Sequence, residues 1–181
     1  LNFSSKITIK GKEDWIEYNL DRYSQFESIV FASDSVGFVG SNDGELLMTQ
    51  DRNKSWKSIL QDPDKLTFVE LFFHDTELGF ALTNSNAMYR TIDGGKNWAK
   101  ILLPHNPQTQ ETYYLNKKVV MVNNYRGFAN YGREVFETKD GGLSWTTSLR
   151  VGQSNVGGIS YDHVGAIWAA TGSGLLRMDL D

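Results

Sequence analysis

One phrase recurs along this chain and limits what it can fold into. MTQDRNKSWKS (48–58), RTIDGGKNWAK (90–100) and ETKDGGLSWTT (137–147) each place a Thr, an Asp two residues on and a Trp five after the Asp. Trp56, Trp98 and Trp145 stand 42 and 47 residues apart, and Trp15 extends the series backwards by 41. That first copy, within ITIKGKEDWIEYNL (7–20), aligns Thr8 with Thr91 and Gly11 with Gly94, but has Lys10 where Asp93 stands. A second landmark precedes each phrase: VGFVGSN, LGFALTN, RGFANYG and VGAIWAA. The spacing from Gly37 to Asp51 is 14, from Gly79 to Asp93 is 14, from Gly127 to Asp140 is 13, and from Gly165 to Asp179 is 14. Two landmarks at a held offset, with a period between 20 and 50 residues, mark a repeat array.

Each unit reads as four short strands. In the second, TFVELFFHD is apolar and β-prone, LGFALTN follows an acidic turn, and AMYRTI leads through DGGKN into WAKILL. Short aromatic and β-branched runs bounded by Gly, Asn and Asp are strand signals, and no window holds a helical period. Four strands per ~45 residues predict an all-β fold, a small β-propeller of about four four-stranded blades. The expected organisation is one domain over 1–181, with blades near 25–60, 66–103 and 112–149, and a last one from 153–181 plus 1–20. The final unit reads as three strands and the first segment supplies a Trp-bearing strand. The expected closure therefore has the N-terminal strand completing the last blade, which would remove two open edges. KITI also reads as a third strand. A piece of a longer propeller, or a half ring completed by another copy, are the competing readings.

The recurring phrase lies between third and fourth strands. A short carboxylate there accepts backbone N–H bonds from the turn it begins. The second residue after the Asp is Asn53, Gly95 or Gly142, types that tolerate positive φ. The pattern resembles the Asp-box, or bacterial neuraminidase repeat, of sialidases, sortilin-type receptors and photosystem II assembly-factor-like propellers. The resemblance spans nearly the whole chain, and DRNKSW departs from it by lacking both glycines. It implies a peripheral structural role for Thr49, Asp51, Trp56, Thr91, Asp93, Gly95, Trp98, Thr138, Asp140, Gly142 and Trp145.

Composition narrows the function. With 181 residues the chain can bury a core unaided, and with no cysteine it has neither disulfide nor thiolate metal site. The net charge of −4 and dispersed basic residues offer no stripe for nucleic acid. No apolar run approaches the ~20 residues of a membrane span. The missing cysteines do not settle the compartment, for which a periplasmic or secreted location is the expectation.

Sialidase resemblance would imply six blades, three arginines on a carboxylate, a Tyr–Glu pair and an acidic residue. Here the blades are too few, no Arg-Ile-Pro occurs near the start, and Arg52, Arg90 and Arg177 fall in a box turn or on third strands. Glu70 and Glu134 are the acids nearest inner positions, and they read as solvated or paired. No catalytic residue, metal ligand or cofactor is therefore expected. HD at 74–75 and DH at 162–163 occupy equivalent turns and read as turn residues rather than a metal bridge. His105 is alone in its loop. The connection into the third unit is longer than the others, 29 residues from Trp98 to Gly127 against 20 to 23 elsewhere. Its extra residues, LLPHNPQTQETYYL, share a face with the loops between second and third strands. Long polar loops on a rigid scaffold concentrate binding residues, and Tyr113, Tyr114, Tyr131 and Arg133 are the candidates. The expected function is a non-catalytic binding or assembly module with a protein partner on this loop face. A carbohydrate-binding module and a sialidase-like glycoside hydrolase are the alternatives. A glycan ligand and a homodimer completing a larger ring remain open beside a monomer.

Overall fold

The computed structural model describes residues 6–8, 16–18, 24–104, 117–152 and 154–180, and of 6–8 and 16–18 the backbone alone. Every regular element among these residues is a strand. β1 (Lys6–Thr8) pairs with β2 (Ile16–Tyr18) in a two-stranded sheet. The first four-stranded sheet is β3 (Phe26–Phe31), β4 (Gly37–Ser41), β5 (Glu45–Thr49) and β6 (Lys57–Gln61). The second is β7 (Phe68–Phe73), β8 (Gly79–Thr83), β9 (Ala87–Thr91) and β10 (Ala99–Leu102). The third is β11 (Val119–Met121), β12 (Gly127–Tyr131), β13 (Glu134–Thr138) and β14 (Thr146–Arg150). The fourth holds three strands, β15 (Val156–Tyr161), β16 (Ala166–Thr171) and β17 (Gly174–Asp179). Each sheet is an antiparallel meander, so neighbours in sequence are neighbours in space.

The repeat extends to fine detail. The first strand carries a register shift near its start in three sheets, between Phe26 and Ser28, Phe68 and Glu70, and Val156 and Gly158. A bulge there sharpens the local twist at the same point of each unit. In the first three sheets the second and third strands are buried on both faces, while the fourth strands β6, β10 and β14 are largely exposed. That gradient follows from sheets packed face to face, with their middle strands sandwiched.

The core is accordingly divided among the contacts between sheets. Phe38 and Leu46 of the first sheet meet Phe68, Leu71, Ala81 and Tyr89 of the second. Phe80, Leu82 and Met88 of the second meet Val119, Met121, Ala129 and Phe136 of the third. Phe128 and Val135 of the third meet Val156, Ile159 and Ile167 of the fourth. Burying one such side chain contributes about 1.5–3 kcal/mol.

Among the described residues no pairing joins the N-terminal segment to the last sheet: β2 pairs with β1, and β17 has no strand on its far side. One expectation is corrected: Asp179 is not a box aspartate. Trp168 pairs with Arg177 as Phe80 pairs with Arg90, which puts Asp179 at the place of Ile92, inside a strand and ion-paired to Arg177 at 2.5 Å. The spacing of 14 misled because β16 runs longer than its counterparts.

Candidate functional site

An antiparallel meander sends its turns alternately to two faces. One face carries the Asp-box turns together with the turns between first and second strands. Thr91 Oγ1 donates to Asp93 Oδ1 at 2.8 Å and accepts the Gly95 N–H at 2.9 Å. Asp93 Oδ1 also accepts the Asn97 N–H, and Oδ2 the Asn97 side-chain amide. The third turn repeats this with Thr138, Asp140, Gly142 and Ser144, and the first with Thr49, Asp51, Asn53 and Ser55. Hydrogen bonds from Ser55 and Asn97 hold the Asp51 and Asp93 carboxyls at about 2, below the ordinary 3.8. At Asp140 partial burial opposes the charge, yet the Ser144 and Thr138 bonds still bring it to about 2. The expected positive φ is present at Asn53 (66°), Gly95 (83°) and Gly142 (86°).

The box tryptophans reach beyond their own hairpins. Trp98 stands edge-on to Phe38 at 5.9 Å and Trp145 edge-on to Phe80 at 6.1 Å, each on the preceding sheet. A Cβ added to Gly95 would lie 2.4 Å from the Phe38 ring, and one on Gly142 2.4 Å from Phe80. Arg90 Nε, from the second sheet, donates to the Gly141 carbonyl of the third sheet's box turn at 2.5 Å. The box is thus a clasp between sheets. Only the equal spacing of Gly-Phe and box landmarks hinted at it in the sequence.

The opposite, loop face carries the connections between second and third strands and between successive sheets. Buried Asp62 accepts the Tyr89 hydroxyl at 2.7 Å and the Lys100 ammonium at 3.1 Å, and Lys100 also meets Asp64 at 2.8 Å. Burial opposes the Asp62 charge, but Tyr89 and Lys100 more than offset it and hold the carboxyl below its usual range. Burial pushes the Tyr89 hydroxyl up to about 12, with the Asp62 bond adding to it. Sequence reading missed this network, because its members lie 27 and 38 residues apart.

Of the four candidate binding residues, Tyr113 and Tyr114 lie outside the described residues, as do Trp15 and His105. Tyr131 is half-buried against the core between second and third sheets, with the Lys117 ammonium 4.1 Å from its ring centre. Lys117 is itself buried and donates to the Thr83 and Ser85 carbonyls, tying the insertion's end to the second sheet. Tyr131 therefore has a packing role. Arg133 Nη1 donates to the Gly152 carbonyl at 3.2 Å. Its Nε is buried with no hydrogen-bond partner, and so is Asn84 Oδ1. Both residues sit in loops between second and third strands, on adjacent sheets.

Glu70 pairs with Lys118 at 2.6 Å, and buried Glu134 with Arg150 at 2.5 Å. His74 and His163 line one cavity of about 390 Å³ with Phe72, Tyr161 and Met121. The neighbouring carboxylates are turned away: Asp75 accepts the N–H groups of Glu77 and Leu78, and Asp162 those of Val164, Gly165 and Ala166. Among the described residues no three His, Cys, Asp or Glu side chains form a group suited to a metal ion. Nor, among the described residues, is any helix long and apolar enough to cross a membrane.

Meandering sheets clasped by Thr-x-Asp turns define an Asp-box β-propeller, and solved structures share the fold. YCF48 bound to D1 peptide superposes with a TM-score of 0.65 at 17% identity, over 88% of this chain and 52% of that one. YCF48 from Cyanidioschyzon merolae gives 0.62 at 19%, over 88% and 54%. A GH74 xyloglucanase from Xanthomonas campestris gives 0.63 at 13%, over 85% and 29%. This chain thus spans about half the length of the YCF48 structures. The family described as sortilin, neurotensin receptor 3, matches residues 44–163, and the chain belongs to this Sortilin-Vps10 family. No curated protein matches it.

Proposed function

We propose that this chain is a non-catalytic binding or assembly module that engages a protein partner through its loop face. The observation that carries this reading is the pair of unsatisfied buried polar atoms there, Arg133 Nε and Asn84 Oδ1. A buried donor or acceptor without a partner costs about 1–3 kcal/mol, so such groups call for an explanation. On the opposite face the box carboxylates are already used by their own turns. The pairing of Glu70 and Glu134 with cations also supports a non-catalytic role, since glycoside hydrolysis needs two carboxyl groups facing one substrate. YCF48, which shares the fold, has been solved with a peptide.

The test is quantitative capture of a partner by the unaltered chain, by Arg133→Ala with Asn84→Ala, and by Lys139→Ala, an exposed change on the box face. Binding should fall at least tenfold, about 1.4 kcal/mol, in the first variant and hold in the second. Loss confined to the box-face variant would refute the assignment. A glycan, rather than a protein, recovered with the same dependence would shift the reading to a carbohydrate-binding module.

A further inference from the structure

A guanidinium fills the contact between the box turn of the third sheet and the sheet before it, and the matching contact of the second sheet lacks one. Arg90 stands opposite Phe80 across the β8–β9 pair, and its Nε donates to the Gly141 carbonyl. Burial pushes this guanidinium below its usual value, while the Asp140 carboxylate of the same turn opposes the shift and so favours the charge. In the first sheet the residue opposite Phe38 is Met48, which has no donor to offer. The backbone of the contact is otherwise repeated, with Asp93 and Gly94 in the places of Asp140 and Gly141. The Gly94 N–H donates to the Glu77 carbonyl as the Gly141 N–H does to that of Tyr125. A Cβ on Gly94 would lie 2.9 Å from Thr76 O, and one on Gly141 would lie 2.7 Å from Asn124 O. At Gly141 the Arg90 Nη2 is also near, at 3.3 Å, and at Gly94 nothing takes its place among the described residues. A cavity of about 200 Å³ occurs there, with Met48, Glu77, Asp93, Gly94 and the exposed Lys96 on its wall. These residues lie within two complete four-stranded sheets and their turns.

We propose that this cavity is a binding site for a guanidinium group, with Gly94 O as its acceptor and Glu77 and Asp93 supplying the opposite charge. The filled contact states the chemistry. Gly94 O accepts no hydrogen bond among the described residues, whereas its counterpart Gly141 O accepts Arg90. The Asp93 oxygens are held by Thr91 and Asn97, as those of Asp140 are by Thr138 and Ser144. In both contacts the box carboxylate therefore contributes charge, and the glycine carbonyl takes the direct bond. Glu77 stands where the third sheet has Tyr125, and it has no ion pair among the described residues. Its carboxylate adds a charge that the filled contact does not possess. Lys96 is the one opposing charge on the wall, against two carboxylates. A guanidinium suits the site better than an ammonium, because its planar fork meets a carbonyl and a carboxylate together. The site lies on the box face, apart from the loop face.

The probes are butylguanidinium, butylammonium and the blocked peptide acetyl-Gly-Arg-Gly-amide, titrated into the isotope-labelled 181-residue chain and followed by amide chemical shifts. Butylguanidinium should give saturable shifts concentrated at residues 33–36, 76–77 and 93–96, with butylammonium at least tenfold weaker. Binding of the peptide as well assigns the site to an arginine side chain, and binding of butylguanidinium alone assigns it to a small free guanidinium compound. Met48→Arg should fill the cavity from within and remove the binding of both. Glu77→Gln, at an exposed position, should weaken binding about threefold with the melting temperature unchanged, and it decides alone if Met48→Arg fails to fold. Arg90→Met should open the matching space in the next contact and add a second set of saturable shifts at residues 124–126 and 140–143. No saturable shifts, equal binding of the two butyl cations, or binding undiminished by both Met48→Arg and Glu77→Gln overturns the proposal.

Discussion

The first Asp-box turn and the third perform the same local chemistry with different residues. In both, a Thr hydroxyl and an Asp carboxylate gather the turn's N–H groups, and the box Trp indole donates three residues back. The third turn uses Gly141-Gly142 where the first uses Arg52-Asn53, all at positive φ. In the third turn the Gly142 carbonyl accepts the Trp145 indole N–H, and in the first the Asn53 side chain accepts that of Trp56. The hairpin alone therefore does not demand glycine. What demands it is the Phe80 ring, 2.4 Å from where a Gly142 Cβ would stand. No sheet with a Gly-Phe strand comes before the first four-stranded sheet among the described residues, and Asn53 occupies the position there. Strands β3 and β7 show the same contrast. Phe68 and Leu71 are buried against the preceding sheet, while their counterparts Phe26 and Ile29 are 42% and 63% exposed.

The comparison can be broken first at the tryptophan. Trp145→Ala removes the ring that fills the contact with Phe80, and urea unfolding should show a loss of about 3–5 kcal/mol. A loss under about 1 kcal/mol would mean that the clasp does not bind the sheets together. Gly142→Asn comes next, at about 1–3 kcal/mol. Asn tolerates positive φ, so the cost is steric and should shrink when Phe80→Ala is added. Additive effects in that cycle would show that ring and glycine do not oppose each other.

Acid offers a gentler probe. The box carboxyls at Asp51, Asp93 and Asp140 have folded pKa values of about 2 against an ordinary 3.8. A depressed folded value means that the stabilisation is present above the unfolded value and is lost as pH falls through the folded one. Stability contributed by these groups should hold down to about pH 4 and decline between 4 and 2. The slope should be shallower in Asp140→Asn, and an unchanged slope would locate acid sensitivity elsewhere. The smallest effect expected is that of Asn53→Gly, within about 0.5 kcal/mol. A larger loss would show that the first turn depends on its side-chain bond to Trp56.

The architecture was legible because a repeat states its period, and strand, turn and box signals recur at fixed offsets from Gly37, Gly79 and Gly127. The turn chemistry was equally local: Thr, Asp and the positive-φ residue lie within four positions of one another. The candidate site was not. Tyr131 stood out as a binding aromatic, yet it packs under Lys117. Arg133 was singled out, but its partner atom Gly152 O and its unsatisfied Nε depend on folding. The Asp62, Tyr89 and Lys100 network joins residues no short motif connects. By itself the sequence determined the strands, the turns and the order in which sheets follow one another, since these rest on interactions among near neighbours. Tertiary structure alone decided which glycines are indispensable and which aromatics clasp two sheets. Each of those depends on what the adjoining sheet places within a few ångströms, and a side chain carries no record of that neighbour along the chain.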